Sequence, residues 1–371
     1  MKITKLETFF VKPRWLFLKM HTDEGLAGWG EPIVEGWSRT VAACVEEMGR
    51  YLLGQDPRRI AHHWQALYRG AFYRGGPVLT SALSGIEQAM WDITGKSLGV
   101  PVHQLLGGAV RDRIRLYGHV GGENAEAYAA SGKKSLERGF TAVKTCPFSA
   151  VRFVESPAFV EGVVARVAAL REGVGKSVDI GLDFHGRVSP AMAIQLANAL
   201  EPFRPMFIEE PSLPENVDTL VTVARSTSVP IATGERLFTK WGFREVLEKQ
   251  AAAILQPDVS HAGGILEVRQ IAAMAEAYFA AIAPHCPLGP IALAACLQVD
   301  ACTPNFLCQE QVNLGDGYLK QPFVLKDGHV DVPAAPGLGI EVDEAALADK
   351  LYDGSNENPR LWHEDGSVAD W

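Results

Sequence analysis

The sequence carries little positive charge for its size. Lys and Arg number 35 against 44 Asp and Glu, so the 371-residue chain has a formal net charge of −9. Proteins that bind nucleic acid usually have the opposite balance, with clustered basic residues. An anionic membrane surface would also repel a chain of this charge. We therefore expect neither a nucleic-acid partner nor a membrane partner.

Several targeting and redox signatures are also missing. The first 15 residues contain neither the apolar core nor the small-residue cleavage site of a secretory signal. The apolar run 278–296 is interrupted by three prolines, which favours a strand, a turn and a buried helix over a membrane span. No CxxC pair occurs, so we expect free thiols in a reducing cytoplasm. The six cysteines are Cys44, Cys146, Cys286, Cys296, Cys302 and Cys308.

A glycine-rich phosphate-binding fingerprint is absent as well. The pairs Gly107-Gly108 and Gly263-Gly264 are isolated, and no GxGxxG follows a strand-like run, which argues against a dinucleotide site. What is present is ordinary globular composition: 47% hydrophobic and 21% charged residues exclude a disordered or fibrous chain. The length suggests about two or three domains.

The N-terminal third mixes hairpin and helix signals. Strand-like runs at 2–11 and 15–22 precede the turn Asp23-Glu24-Gly25. Apolar residues then recur with helical spacing at 39–52, 60–68 and 79–98. We interpret residues 1–112 as a separate α+β domain.

Beyond that point, short β-prone runs recur, and each is expected to be followed by a helix. We find eight of them, at 114–120, 140–146, 178–184, 206–210, 230–235, 252–257, 280–285 and 305–310. Eight βα units in about 200 residues fit an α/β fold of the TIM-barrel type over 113–320, with a doubly wound open sheet as the competing fold. The segment 321–371, rich in Pro, Gly and Asp, is expected to return to the first domain.

Titratable residues end six consecutive runs. They are Asp183 with His185, Glu209 with Glu210, Glu235, Asp258, His285 and Glu310. The steps from Asp183 through Glu209, Glu235, Asp258 and His285 to Glu310 are 26, 26, 23, 27 and 25 residues, about one βα unit each. Asp and Glu are poor strand formers, so they need a reason to end apolar runs. In a TIM barrel these ends meet at the C-terminal face, where active sites lie.

Three carboxylates from adjacent strands make an oxygen-rich site that suits Mg²⁺. Asp183 and Glu235 would be two of its ligands, and strand alternation alone leaves open whether Glu209 or Glu210 is the third. The same alternation places His185 on the face of Asp183, towards whatever the metal holds.

The remaining strand ends predict a general base. Asp258 lies one strand from His285, and a carboxylate bonded to one ring nitrogen fixes the tautomer and raises the basicity of the other. A cation bound to a substrate carboxylate acidifies the adjacent C–H, which such a base can remove. A second histidine could then protonate a leaving hydroxyl. The predicted chemistry is loss of water from a hydroxy acid.

Each residue taken singly also has an ordinary structural explanation. Glu-Glu-Pro at 209–211 could begin a helix, and Asp258 could cap one. His285 could be a core histidine with satisfied hydrogen bonds, and Glu310 a solvated loop residue. His119 is a candidate by position only. The regular spacing of the whole set is what favours a function.

The motifs resemble the mandelate racemase subgroup of the enolase superfamily over nearly the whole chain. The matching segments are WGEP at 29–32, FYRGGP at 72–77, GLDFHGRVS at 181–189, FIEEP at 207–211, GER at 234–236, ILQPD at 254–258, SHAGG at 260–264, the run 283–296 and WHED at 362–365. The resemblance implies an α+β capping domain over a (β/α)7β barrel of the TIM type. It also implies an acid-sugar dehydratase, with D-galactonate as the expected substrate, and a homo-oligomer.

The resemblance further implies roles for individual residues. Mg²⁺ would be held by Asp183, Glu209 and Glu235, which resolves the choice between the two adjacent glutamates. The remaining roles concern the chemistry: His285, oriented by Asp258, would abstract the proton, His185 would be the general acid, and Glu310 would stabilise the enediolate.

Three departures from the family pattern bear on the reaction and the substrate. Relatives that racemise often have Lys-x-Lys where this chain has Lys144-Thr145-Cys146, so a second base is missing. Galactonate enzymes usually have Asn at the position of Cys146 and Arg at that of Trp37. Three alternatives stay open. They are a dehydratase for another aldonic or aldaric acid, a racemase or epimerase that uses His285 with Lys144 or His185, and a non-catalytic metal-binding homologue.

Overall fold

The computed structural model describes residues 1–371, and the chain opens with an antiparallel meander. Its strands are β1 (Ile3–Val11), β2 (Trp15–Thr22) and β3 (Ala27–Gly30). β2 pairs with both neighbours and is buried along most of its length, as expected for a central strand with apolar side chains. The predicted turn Asp23-Glu24-Gly25 joins β2 to β3, and Gly25 has the positive φ that such a turn requires.

Three helices pack on this meander and complete the capping domain. They are α1 (Ser38–Leu52), α2 (Ile60–Arg69) and α3 (Pro77–Leu98), followed by the single turn α4 (Val102–Leu105). α3 begins with proline at its first turn and ends at Gly99 in the left-handed conformation, two strong boundary signals. Most of its central residues are buried, and seven of its buried residues are polar: Thr80, Ser81, Ser84, Glu87, Gln88, Asp92 and Thr94.

A barrel of parallel strands and surrounding helices follows the short strand β4 (Arg113–Arg115). Its strands are β5 (Gly118–His119), β6 (Ala142–Thr145), β7 (Asp179–Asp183), β8 (Phe207–Glu209), β9 (Ile231–Thr233), β10 (Ile254–Leu255) and β11 (Ala281–Ile282), in sequential order across one sheet. The helices are α5 (Ala125–Glu137), α6 (Pro157–Val174), α7 (Pro190–Leu200), α8 (Val217–Ala224), α9 (Thr239–Glu248), α10 (Ile265–Ala277) and α11 (Pro290–Ala301). This arrangement confirms the expected barrel and excludes a doubly wound sheet.

The eighth β-prone run closes the barrel. Residues at 305–310 form parallel bridges on both sides, from Phe306 to Ile282 and from Gln309 to Leu116. The expectation that a helix follows every run is wrong here, because the chain after Glu310 continues in turns and bends. The result is the (β/α)7β pattern. The apolar run 278–296 forms β11, a turn and α11, and no helix of the protein is long and apolar enough to span a bilayer.

The lower part of the barrel lumen is filled by apolar side chains. One buried cluster takes a residue from each of seven strand segments: Tyr117, Ala142, Phe207, Ala232, Ile254, Ala283 and Cys308. These apolar side chains fill the interior of the barrel, and the polar groups at the C-terminal strand ends lie at the rim where TIM-type barrels have their active sites.

Part of the last fifty residues runs back along the meander, while Trp371 at the end of the chain lies against His185 of the barrel. These fifty residues contain β12 (His329–Asp331), which pairs with β4, then α12 (Glu344–Ala348) and the hairpin β13 (Leu361–Trp362) and β14 (Val368–Ala369). The amide of Lys12 donates to the carbonyl of Lys350, and that of Tyr352 donates to the carbonyl of Phe10. These hydrogen bonds extend the edge of β1.

Candidate active site

Three carboxylates converge at the C-terminal ends of adjacent strands. Asp183 is the last residue of β7, Glu209 is the last of β8, and Glu235 lies two residues beyond β9. Since parallel strands present their carboxyl ends at one rim, one oxygen of each carboxylate lies within 4.8 Å of the others. The expected cluster of oxygen ligands is therefore present.

The two adjacent glutamates after β8 face different surroundings. Glu209 is fully buried and points into the lumen with Asp183. Glu210 has a positive φ and turns away, accepting hydrogen bonds from the hydroxyl of Thr233 (2.6 Å) and the amide of Gly234 (2.8 Å). The backbone turn at Glu210 thus separates the two side chains, which strand alternation alone could not predict.

A buried lysine lies among these carboxylates. Lys144 Nζ is 3.1 Å from Asp183, 2.8 Å from Glu209 and 2.9 Å from Glu310. Burial would lower the pKa of Lys144, but Glu209 and Glu310 outweigh it and raise the pKa well above its usual range. Burial, together with the neighbouring Asp183, raises the pKa of Glu209. One ammonium group against several carboxylates leaves an excess of negative charge, the condition that favours a bound cation.

A histidine–carboxylate pair lies on the next two strands. Nδ1 of His285 is 2.8 Å from Oδ2 of Asp258, while its Nε2 is 3.1 Å from Glu235 and 3.8 Å from Glu310. Burial would lower the pKa of His285, yet Glu235 and Glu310 outweigh it and raise the pKa. The expected pairing of Asp258 with His285 is present, with the second ring nitrogen directed at the carboxylate cluster.

Glu310 contacts residues of strands on both sides of its own, His119 and Lys144 on one side and Cys286 on the other. Its Oε1 lies 3.0 Å from Nε2 of His119 and 2.9 Å from Lys144, and its Oε2 accepts from the amide of Cys286 at 2.9 Å. Lys144 and His285 lower the pKa of Glu310 well below its usual range despite its burial. Glu310 is thus an ionised lumen residue, and the solvated-loop explanation does not hold.

His185 lies on the opposite side of the carboxylate cluster, next to Asp183. Its Nε2 is 3.3 Å from Oδ2 of Asp183, and its amide donates to Oδ1 of the same carboxylate at 3.0 Å. Its φ of 51° shows that the chain has already left the strand at this position. Burial lowers the pKa of His185. The ring faces the indole of Trp371, with centroids 5.6 Å apart.

A cavity of about 650 Å³ lies between the barrel and the capping domain, and its lining includes Asp183, His185, Glu235, His285 and Glu310. Cys146 lies on its wall, where burial raises the pKa of the thiol to about 11 and so keeps it neutral. Trp37 is 61% exposed and does not line the cavity, whereas Arg14 and Glu35 from the same domain do. Of the two positions where this chain departs from the residue usual in galactonate enzymes, Cys146 is therefore the one that faces the cavity.

Comparisons with known proteins show the family of the chain. The family model described as the mandelate racemase / muconate lactonizing enzyme N-terminal domain matches residues 7–107, and the enolase C-terminal domain-like model matches 127–346. The chain belongs to the mandelate racemase / muconate lactonizing enzyme family. It is an enzyme of the enolase superfamily.

Full-length relatives of this family include curated hydro-lyases. The D-galactonate dehydratase of Ralstonia nicotianae is 52% identical, and that of Pectobacterium atrosepticum is 50% identical. Both alignments cover 100% of this chain and 100% of the relative.

Solved structures of the same superfamily superpose along the chain. An enolase from Agrobacterium radiobacter, with sodium and L-malate bound, has a TM-score of 0.94 at 32% identity and covers 100% of both chains. A member of the enolase superfamily from Salmonella Typhimurium has a TM-score of 0.89 at 29% identity and covers 94% of this chain and 97% of its own.

Several residues of this family member's site are not evident from sequence spacing. The sequence indicates Lys144 only as a possible second base, yet its three ion pairs place it at the centre of the charge cluster. Arg236 donates to the carbonyl of His185 and lies 3.3 Å from Glu235. Trp371 is far from the barrel strands in sequence. Only the GER segment at 234–236 gave a signal for Arg236, and no signal marked Trp371.

Proposed function

We propose that the protein is a Mg²⁺-dependent acid-sugar dehydratase that converts D-galactonate to 2-keto-3-deoxy-D-galactonate. The single observation that carries this proposal is the position of two histidines on either side of the carboxylate cluster, His185 beside Asp183 and His285 beside Glu235. The full-length likeness to enzymes named D-galactonate dehydratase supports the substrate.

The residues present fit a divalent cation. Asp183, Glu209 and Glu235 would hold it, because their oxygens lie within 4.8 Å of one another and carry excess negative charge. When bound, Mg²⁺ would acidify the C–H next to a substrate carboxylate and offset the negative charge that develops as that proton leaves.

His285 is proposed as the general base. Its Nδ1 is occupied by Asp258, so Nε2 is the nitrogen that can accept the proton from C2 of the sugar acid. Asp258 would hold the ring orientation and stabilise the imidazolium that results. The electron pair of the broken C2–H bond remains on the substrate as an enediolate.

His185 is proposed as the general acid. It would donate a proton to the hydroxyl on C3 as the C3–O bond breaks, so that water leaves and an enol remains. The enol then tautomerises: its O–H proton on C2 is lost to solvent and C3 gains a proton from solvent, which gives the 2-keto acid. Burial, which lowers the pKa of His185, would make its imidazolium a stronger acid.

Glu310 and Lys144 are proposed to stabilise the enediolate together. An ionised carboxylate cannot itself donate a hydrogen bond to a developing oxyanion. The ammonium group of Lys144, 2.9 Å from Glu310, can do so, and Glu310 would hold it in place.

Racemisation is the runner-up. It requires a second base on the opposite face of the substrate, and the residue two positions after Lys144 is Cys146, whose raised pKa of about 11 keeps the thiol protonated. Lys144 itself is charged and engaged by three carboxylates. These features argue against Cys146 and Lys144 as the second base. Racemisation with His185 as the second base is distinguished from dehydration by the deuterium-exchange measurement below.

The test is a substrate screen with purified protein and Mg²⁺ against C4 to C6 aldonic and aldaric acids, with 2-keto products detected as semicarbazones. We expect turnover of D-galactonate by the wild-type protein, and turnover lowered by roughly 100- to 10,000-fold in His285→Asn. Turnover of a different acid would contradict the substrate and direct attention to Cys146. Solvent deuterium exchange at C2 without loss of water would contradict dehydration and favour the racemase. Mg²⁺ binding without any turnover would favour a non-catalytic homologue.

A cytoplasmic location and a homo-oligomer stay predictions.

A further inference from the structure

Three barrel helices, α9, α10 and α11, begin without a side-chain cap from their own loops. At the start of α9 the acceptor comes from within the barrel, because the amide of Lys240 donates to Glu267 of α10 at 2.8 Å. The starts of α10 and α11 differ from it. The N-cap positions of α10 and α11 are Gly264 and Gly289, and neither has a side-chain cap. These helices follow the strand ends that carry Asp258 and His285. Unsatisfied amides at a buried helix start are costly, so another part of the molecule must supply their acceptors.

Two fully buried glutamates of the capping domain supply them. The carboxylate of Glu31 accepts from the amides of Gly289 (2.7 Å) and Ala292 (2.9 Å) at the start of α11. That of Glu87 accepts from Ile265 (2.8 Å) and Leu266 (3.0 Å) at the start of α10. Both glutamates are 0% exposed. A carboxylate at a helix N-terminus is also stabilised by the helix dipole.

The two glycines explain how the carboxylates come so close. A Cβ at Gly289 would lie 2.6 Å from Oε1 of Glu31, and a Cβ at Gly264 would lie 2.3 Å from Oε2 of Glu87. Real side chains do not tolerate such distances, so any other residue would displace the carboxylate. Both helix starts are therefore shaped around an acceptor from the other domain.

A continuous set of hydrogen bonds links these contacts to the proposed base. The amide of Glu31 donates to Oε1 of Gln88 (2.8 Å), whose Nε2 donates to Oγ of Ser260 (3.0 Å). The amide of Ser260 donates to Oδ1 of Asp258 (2.7 Å), and Oδ2 of Asp258 bonds Nδ1 of His285 (2.8 Å). The carboxylate of Glu31 accepts from the amide of Gly289, which follows His285 by four residues along the chain. These hydrogen bonds, together with the chain from His285 to Gly289, form a closed ring through both domains.

We propose that Glu31 and Gln88 are positioning residues that fix Asp258 and His285 relative to each other. Gln88 holds the loop of Asp258, Glu31 holds the loop of His285, and the bond between Glu31 and Gln88 joins the two. The proposal rests on the proposed function in one respect, that this pair removes the proton from C2. Proton removal needs the base in near-attack geometry, and a displacement of about 1 Å can cost roughly 100-fold in rate.

The variants Glu31→Gln and Gln88→Met break this ring at different points. Glu31→Gln replaces a carboxylate oxygen with an amide N–H₂ group, which cannot accept a hydrogen bond from a backbone N–H. Gln88→Met keeps a side chain of similar volume, but its thioether cannot donate to Ser260. Because burial raises the pKa of Glu31 to about 8 and that of Glu87 to about 7, the assays are made near pH 9, where both carboxyls are ionised.

Asn216→Ala is the matched control. Asn216 caps α8 by accepting from the amide of Asp218 at 3.0 Å, in the loop that follows the proposed metal ligand Glu209. The change also removes a helix cap from a loop next to the site, but it leaves the interdomain ring intact.

We expect both ring variants to lower kcat by about 10- to 100-fold, with KM for galactonate and Mg²⁺ affinity within about 2-fold of wild type. The primary isotope effect with substrate deuterated at C2 should equal or exceed the wild-type value. The proposal is overturned if kcat falls only as much as the folded fraction, if the isotope effect falls towards one, or if Asn216→Ala behaves in the same way.

Hydrogen exchange measured by mass spectrometry provides a readout that needs no substrate. In the ring variants, the segments 258–266 and 285–293 should exchange faster, while 183–189 and 209–216 should keep wild-type rates. Equal exchange in all four segments would contradict the proposal even if galactonate were not the substrate. Failure of wild type to dehydrate galactonate, with the expected exchange pattern, would instead contradict only the proposed function.

Discussion

The loops after β7 and β8 are anchored within the barrel, whereas the loops after β10 and β11 are anchored by the capping domain. Ser189 caps α7 through the amide of Met192, and Asn216 caps α8, each within its own loop. The corresponding acceptors for α11 and α10 are Glu31 and Glu87. The barrel alone can thus place the proposed ligands Asp183 and Glu209, but the proposed base depends on contacts between domains.

We call the loops after β7 and β8, with Asp183 and Glu209, the first half of the site, and the loops after β10 and β11, with Asp258 and His285, the second half. The difference in anchoring indicates that the two halves can be disturbed separately. Metal affinity should report on the first half, and proton removal on the second. Substitutions in each half test that separation, beginning with the largest expected effect.

Asp183→Asn should abolish turnover by removing a charged ligand from the carboxylate cluster. An amide is a weaker ligand for Mg²⁺ than a carboxylate, and Lys144 would lose one of its ion pairs. Calorimetric titration with Mg²⁺ should show the loss of binding. Unchanged Mg²⁺ affinity would exclude Asp183 as a ligand.

His285→Asn should lower kcat by roughly 100- to 10,000-fold, the usual contribution of a general base. Mg²⁺ binding should be retained, because the three carboxylates are untouched. Titration calorimetry and a turnover assay on the same preparation check both points. Full activity in this variant would rule out His285 as the base.

The buried Glu31 should make stability depend on pH. Burial raises its pKa in the folded protein to about 8, so the folded state holds a proton that the unfolded state has released. Its contribution to stability is complete below about pH 4.5 and is lost as the pH rises through about 8.

Glu31→Gln has no such proton to hold. The unfolding free energy of wild type minus that of Glu31→Gln should therefore fall by up to about 1.4 kcal/mol per pH unit between those limits. Urea unfolding at several pH values measures the difference. Parallel curves for the two proteins would contradict the raised pKa.

Gly289→Ala should destabilise the protein by about 1–3 kcal/mol, because the new Cβ overlaps the carboxylate of Glu31. Gly162→Ala is the control, since a Cβ there would meet nothing within 4 Å and α6 should gain from it. Thermal unfolding of the two variants should shift in opposite directions. Equal shifts would show that Glu31 moves aside without cost.

Ser189→Ala should have the smallest effect, about 1 kcal/mol of stability, through loss of the α7 cap. Its loop lies in the half anchored within the barrel, so kcat should change little once the folded fraction is accounted for. A large fall in kcat without loss of Mg²⁺ binding would break the distinction between the halves.

Much of the fold could be predicted from local pattern. The boundaries of β2 and of α3 agree with the sequence signals to within two residues, because turn glycines and helical spacing are local. The helix expected after the eighth run was wrong, since the periodicity of a strand carries no information about the chain beyond it. The domain boundaries at 112 and 320 stay predictions.

Much of the candidate site could also be predicted from the sequence, because the barrel repeats one structural unit. In a repeating βα fold, residues at equal places in successive units come to one rim, so spacing alone brought Asp183, Glu235 and His285 together. The positioning roles of Glu31 and Gln88 could not be predicted in this way, because neither residue belongs to a repeated unit. Glu31 lies in the WGEP segment that resembles the family, but that resemblance assigned it no role, and the signal at Gln88 was only a polar residue within a helix.

The sequence by itself determined the barrel, a separate N-terminal α+β domain and the strand ends that carry acid and base groups, because these follow from periodicity of two and 3.6 and from regular unit length. That the α+β domain caps the barrel was implied only by the family resemblance. Tertiary structure alone decided that Glu210 turns away while Glu209 faces the lumen, that Lys144 lies between three carboxylates, and that Glu31 reaches α11. These outcomes depend on single backbone dihedrals and on contacts between residues up to 261 positions apart. No local pattern encodes such contacts, since they are set by how the two domains pack.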